Sequence, residues 1–253
     1  MTDDDSVFDR VRRTVSGPTP AEQAETLAER AREDPTALDD ADVESLIELL
    51  DTDDPDVVGD ALGALKSLAD ERPSLVEPAL SSVAGGLSER PETEWYSTTL
   101  GDASQSFLND LSRGSILLWV AKEKPEALDP VVEDLVERYD ADTIDPMSLL
   151  ALASVVADAP ERVDVPPAPL VELVADALRG AVEPADGSGD DWENVSLQPM
   201  ATTGYIDLLS SFDAAALDDD AIEDRRDALE TARTKSDDEE VVDAAAAALS
   251  ADG

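Results

Sequence analysis

The sequence predicts an all-α protein, a right-handed stack of antiparallel helical hairpins with about twelve helices. Three observations lead there. Apolar residues recur at helical spacing along almost the whole chain. Strand signals are scarce, with no Asn-Gly or Asp-Gly turn set between alternating apolar runs. A single kind of joint, a charged helix end followed by Pro and then an apolar residue, returns at intervals.

Taken in order, the predicted helices cover 3–16, 20–33, 41–51, 55–71, 78–88, 103–124, 130–139, 146–158, 168–181, 198–212, 219–233 and 237–250. Residues 1–19 read as an N-terminal helix and linker, and 20–250 as a helical repeat domain. Val58, Ala61, Leu62, Leu65, Leu68 and Ala69 fall at i, i+3, i+4, i+7, i+10 and i+11, which makes one apolar stripe. Val131, Val132, Leu135, Val136 and Tyr139 repeat the pattern, as do Leu170, Val171, Val174, Ala177 and Leu178. Met147 to Val156 is apolar nearly all round, so that helix should be buried on most sides. Starts are marked by an acid before Pro. Asp54-Pro55, Asp129-Pro130 and Asp145-Pro146 each place an N-cap ahead of a Pro at the first helical position. Thr19-Pro20-Ala21-Glu22 and Ser236-Asp237-Asp238-Glu239 read as capping boxes.

The joints share a layout. Ala31-Arg-Glu-Asp-Pro35-Thr-Ala-Leu38, Ala69-Asp-Glu-Arg-Pro73-Ser-Leu-Val76 and Ala121-Lys-Glu-Lys-Pro125-Glu-Ala-Leu128 match closely, and Ala157-Asp-Ala-Pro160-Glu-Arg-Val163 follows them. Ser211-Phe212-Asp-Ala-Ala-Ala-Leu217 is a degenerate fifth copy without Pro. The four prolines are separated by 38, 52 and 35 residues, and Phe212 lies 52 beyond Pro160. Periods of this size mark an α-solenoid, in which each hairpin buries its apolar face on the next.

On these residues the chain resembles the HEAT and armadillo-like repeat proteins. The nearest stretch is Asp54-Pro55-Asp56-Val57-Val58-Gly59-Asp60-Ala61-Leu62-Gly63-Ala64-Leu65, similar to the start of a HEAT second helix. The family usually has Arg after that Val, where this chain has Val58. Elsewhere the match is one of spacing and Pro placement. The resemblance implies a curved, scaffold-like binding surface and no particular partner.

Charge sets further bounds. Sixty-one acids against eighteen bases give a net charge of −43, with Asp outnumbering Glu 38 to 23 and Arg outnumbering Lys 14 to 4. The acids are spread over every segment, and such a surface repels itself at ordinary ionic strength. In molar salt the Debye length falls to about 3 Å and the repulsion largely disappears. Abundant Asp with almost no Lys resembles the proteins of salt-in halophilic archaea; a nucleic-acid mimic or a chaperone for basic proteins are the alternatives. No basic cluster stands out for phosphate contacts, so no nucleic-acid partner is expected. Arg10-Val-Arg12-Arg13 and Arg225-Arg226 come nearest and are expected to pair with acids on their own helices. No apolar run is long enough for a membrane helix, and Met1-Thr-Asp-Asp-Asp5 lacks the features of a signal peptide, so a cytoplasmic location is expected.

Cys and His are both absent, which removes disulfides, thiolate and imidazole metal sites, Cys nucleophiles and His-based triads. No phosphate loop, nucleophile elbow, dinucleotide fingerprint or HExxH occurs. Neither a cofactor nor a metal is expected. Asp186-Gly-Ser188-Gly-Asp190-Asp191-Trp192-Glu193 has the alternating oxygens that open a calcium loop. Asp191 stands where that loop needs Gly, though, and no Glu closes it, so a polar Gly-Ser loop is expected instead.

Two insertions fill the long spacings, 89–102 and 183–197, and each supplies a Trp to a chain that is only 4% aromatic. Equivalent joints in alternate hairpins should bring both out on one edge of the stack, where repeat proteins often bind. Trp95, Tyr96, Asp190, Asp191 and Trp192 are therefore the candidate partner-binding residues, with a Trp that folds back to plug its own loop as the alternative. Trp119, inside Ile116-Leu-Leu-Trp119-Val, is expected in the core. The function read from all this is a non-enzymatic scaffold or adaptor binding another protein. An enzyme on a helical scaffold, such as a DNA-repair glycosylase, is one alternative, marked by a pocket with a carboxylate, a Trp and converging Arg residues. A purely structural protein is the other, marked by the lack of any apolar or aromatic patch.

Overall fold

The computed structural model describes residues 18–90, 103–182 and 201–251. The predicted helix 3–16 and nearly all of both insertions lie outside them. Among the described residues there is no strand.

The α-helices are α1 (Pro20–Glu33), α2 (Asp40–Leu50), α3 (Pro55–Glu71), α4 (Pro73–Val76), α5 (Leu80–Gly85), α6 (Gln105–Glu123), α7 (Val132–Asp140), α8 (Pro146–Asp158), α9 (Pro167–Val182), α10 (Thr202–Ser211), α11 (Asp219–Lys235) and α12 (Glu239–Ala251). They form an α-solenoid of two layers. In the front layer α1, α3, α6, α8, α10 and α12 pack in that order, each on the next. Behind them α2, the α4–α5 segment, α7, α9 and α11 each return the chain to the front.

Each Pro joint does more than stop a helix. Pro fixes φ near the helical value, so it also starts a new turn. Short 3-10 turns follow at Pro35–Ala37, Pro125–Leu128 and Pro160–Arg162, α4 begins at Pro73, and Ala214–Ala216 makes the same turn without Pro. A repeat is thus a short turn, a back helix and a front helix. The apolar residue that ends each turn locks it down, with Leu38, Val76 and Leu128 buried and Val163 and Leu217 partly so.

Most predicted starts hold. Thr19 and Glu22 form the reciprocal capping box of α1. Asp54 accepts from the Asp56 amide, and Asp145 accepts from those of Met147 and Ser148. Helix α8 is buried on most sides, as its composition predicts.

Three expectations are corrected. Asp129 does not cap a helix: it continues the Pro125 turn in helical conformation, whereas an N-cap needs an extended one, and α7 starts at Val132 without a side-chain cap. Ser236 ends α11 instead of opening α12, and Asp238 takes over by accepting from the Glu240 amide at 2.9 Å. The predicted helix 78–88 is reduced to α5, and the helical path starts earlier, at α4 from Pro73, with a 3-10 turn at Glu77–Ala79 between them where Pro78 interrupts it.

Candidate protein-docking face

Because the joints are short and the hairpins antiparallel, the front helices all run the same way. The Pro joints gather at their C-terminal edge and the back-to-front turns at their N-terminal edge. The described flanks of both insertions belong to the back-to-front turns of the second and fourth repeats.

At the opposite, C-terminal edge the front layer opens. A hollow of about 440 Å³ is lined by Ala121, Lys122 and Pro125 at the end of α6, by Ser154, Ala157 and Asp158 of α8, and by Gly204, Asp207, Leu208 and Ser211 of α10. Small side chains create it. α10 is a short helix and packs on α8 far less closely than α8 packs on α6. The serine hydroxyls are already satisfied, Ser154 donating to the Leu150 carbonyl at 3.0 Å and Ser211 to that of Asp207 at 2.8 Å. Charge on the wall comes from Lys122, Asp158 and Asp207, and Arg162 approaches Asp158 at 3.7 Å.

One turn back along α6 stands Trp119. It is only partly buried, a correction to its expected place in the core. Its indole packs against the core on one side, while the Lys122 ammonium lies 5.5 Å from the ring centroid. The hydrophobic run Ile116-Leu117-Leu118 hides this, since three buried neighbours say nothing about which way the fourth side chain points on a helix of 3.6 residues per turn.

A second cluster is buried. Asp110 of α6, 2% exposed, accepts from the Ser88 amide at 3.1 Å, the Ser88 hydroxyl at 3.2 Å and Arg90 Nε at 2.8 Å. Arg90 also donates to Ser106 Oγ at 3.1 Å and lies over the Phe107 ring. Arg113, one turn on from Asp110, turns its guanidinium to the Ser82 and Val83 carbonyls at 2.9 and 3.1 Å. Burial pushes the Arg113 pKa down, while the charges of Asp110 and Asp51 push it up. Asn109 donates to the Pro55 carbonyl at 2.9 Å, tying α6 to the first turn of α3. These bonds hold helices together; they leave no open space for a ligand.

Most of the bases seen here are likewise engaged in holding the stack. Arg138 donates to the Leu87 and Ser88 carbonyls, Arg225 to that of Phe212, and Arg179 to that of Asp224 while pairing with the carboxylates of Asp176 and Asp224. The expected partners of Arg10, Arg12 and Arg13 lie outside the described residues.

So do the sequence candidates Trp95, Tyr96, Asp190, Asp191 and Trp192. Their flanks, however, are placed. The first insertion rejoins the fold at Ala103, at the far end of the 19-residue α6 from Lys122. That end is roughly 28 Å away at 1.5 Å per residue. The second rejoins at Ala201, within a turn of Gly204 on the hollow's wall. Nothing in the sequence marked the hollow itself, because it arises from how three helices meet.

No protein-family description matches the chain, and no curated protein matches it. Solved structures do. A designed armadillo repeat protein is 22% identical, with 95% of this chain and 97% of that one covered and a TM-score of 0.51. A second designed armadillo repeat protein, solved in complex with a (KR)4 peptide, is 17% identical over 100% of this chain and 95% of its own, with a TM-score of 0.46. The first likeness supports the α-solenoid fold.

Proposed function

We propose that this chain is a non-enzymatic scaffold or adaptor that binds a protein partner along its front layer, with the hollow between α6, α8 and α10 as the central contact. The observation that carries this reading is the hollow itself. Its small lining residues let a partner's main chain come close, and the partly buried Trp119 stands one turn back along α6 as the kind of aromatic anchor that dominates interface energetics. The insertion residues Trp95, Tyr96, Asp190, Asp191 and Trp192 extend the docking face in this proposal. Of the two insertions, 183–197 is the nearer, since its flank meets the hollow's wall.

A repair glycosylase would need a basic groove to hold a phosphate backbone. The arginines of the described residues are largely drawn onto carbonyls and carboxylates of their own fold, which favours a protein partner over nucleic acid. Among the described residues no helix is long and apolar enough to cross a membrane. We read the net charge of −43 as an adaptation to a salt-rich cytoplasm of the halophilic-archaeal type.

The test is capture of partners in molar KCl by three forms of the chain. Ser211→Trp fills the hollow from an exposed position and should weaken capture about 30-fold, equivalent to losing an anchor of roughly 2 kcal/mol. Glu137→Trp on the back layer should leave capture unchanged. Trp95→Ala and Trp192→Ala report on the insertions, and a loss of capture with an unaltered melting temperature marks a contact residue. If Ser211→Trp captures the same proteins as strongly as Glu137→Trp does, the hollow is not the docking site.

A further inference from the structure

Asp145 is wholly enclosed where α8 starts against α6. Its Oδ1 accepts from the amides of Met147 and Ser148, both at 3.0 Å. The approach to α6 is so close that a Cβ on Gly114 would stand 2.2 Å from that same oxygen. One turn earlier on α6 is Asp110, also buried and already holding Ser88 and Arg90. Two buried carboxylates thus lie along one seam.

The charged group that acts on Asp145 is Asp110, and its effect is repulsive. Other titratable groups on the elements packed against α8 are turned elsewhere. Arg113 faces the Ser82 and Val83 carbonyls, Arg138 of α7 those of Leu87 and Ser88, and Arg162 reaches Asp129 and Asp158. Tyr139 lines a separate hollow with Leu149 and Leu173, Glu172 of α9 lines another beside Asp218, and Asp207 of α10 lies at the far end of α8. Among the described residues no cation is paired with Asp145.

We propose that the α6–α8 seam is a proton-tightened clasp, in which uptake of one proton by the buried Asp145 carboxyl strengthens the packing of α8 on α6. Burial raises the Asp145 pKa to about 6, and the hydrogen bonds from Ser148 and Met147 only partly oppose it. The sign follows from linkage. An acid whose folded pKa lies above its unfolded one binds its proton more tightly when folded, so stability is gained as pH falls from about 6 toward the unfolded value near 4. Acidification therefore firms the two helices whose far ends line the docking hollow.

Amide hydrogen exchange across pH 5 to 8, corrected for intrinsic rates, tests this in the full chain in molar KCl. Protection of the Met147 and Ser148 amides should rise about tenfold between pH 7.5 and pH 5, the gain that one proton linked at this affinity supplies. Asp145→Asn keeps a good N-cap and removes the titration, so its protection should be nearly flat over the same range. Carbon NMR of the Asp145 carboxyl in the unmutated chain gives an independent reading, with a midpoint expected at about 6. A midpoint near the ordinary aspartate value, or an equal rise in protection in Asp145→Asn, would overturn the proposal.

Discussion

Arg72 Nη1 donates to the carbonyl oxygen of Leu38 at 2.9 Å, across 34 positions of sequence, and reaches the Thr36 carbonyl at 3.3 Å. Arg72 ends α3, and the two carbonyls belong to the joint that follows α1, so one side chain clamps the end of a front helix to the turn that opens its own repeat. Arg113, Arg138 and Arg225 make the same kind of contact with carbonyls elsewhere in the stack. A planar guanidinium can bridge two adjacent carbonyls, which a lysine ammonium does poorly. That gives a structural reason for the excess of Arg over Lys.

Arg72→Ala should therefore cost about 1.5–3 kcal/mol, the range for hydrogen bonds from a charged donor. Arg72→Lys should recover only part of it. Chemical denaturation in molar KCl gives both values, and an alanine variant within about 0.5 kcal/mol of the parent, the scatter of ordinary surface changes, would show that the clamp is ornamental.

Two helix glycines should respond oppositely to alanine. A Cβ at Gly63, on the exposed front of α3, would meet nothing within 4 Å, so Gly63→Ala should stabilise by about 0.5–1 kcal/mol through helix propensity. A Cβ at Gly114 would run into Asp145 Oδ1 at 2.2 Å and Met147 Cβ at 2.8 Å. Gly114→Ala should lose about 1–3 kcal/mol, the usual cost of overpacking. Melting temperatures that move in the same direction for both would contradict the packing described for the α6–α8 seam.

Salt should govern folding. If the acidic surface is tuned to a screened environment, helical circular dichroism will be weak in dilute buffer and will grow with KCl, with the melting temperature rising alongside. A chain that folds fully and cooperatively without salt, and gains nothing from its addition, would remove the halophilic interpretation.

Local signals in the sequence translated well into structure. Pro55–Glu71 and Pro146–Asp158 have the predicted limits, because an Asp cap, a Pro at the first position and a periodic stripe all agree there. The Asp129-Pro130 pair carries the same signal and fails, since the turn begun at Pro125 had already set Asp129 in a helical conformation. Tertiary features stayed out of reach. That Asp110 and Asp145 are buried while most other acids face solvent depends on which helix lies across them, and residues 35 positions apart carry no mark of it. The hollow is hidden for the same reason: Ser154, Gly204 and Ser211 are unremarkable alone and matter only where three helices converge.

The shared direction of the front helices has an electrical consequence. Peptide dipoles add along a helix, leaving partial positive charge at its start and partial negative charge at its end. With every front helix pointing one way, these fractions accumulate on two opposite rims instead of cancelling. Side chains oppose this polarity: Asp54, Asp145 and Asp238 sit at the amide rim, while Arg30, Arg72, Lys122, Lys124 and Arg162 stand at the carbonyl rim among acids such as Glu33, Glu71, Glu123 and Asp158. Capping acids and terminal bases thus offset the stacked peptide dipoles, which lowers the mutual repulsion of parallel helices lying side by side.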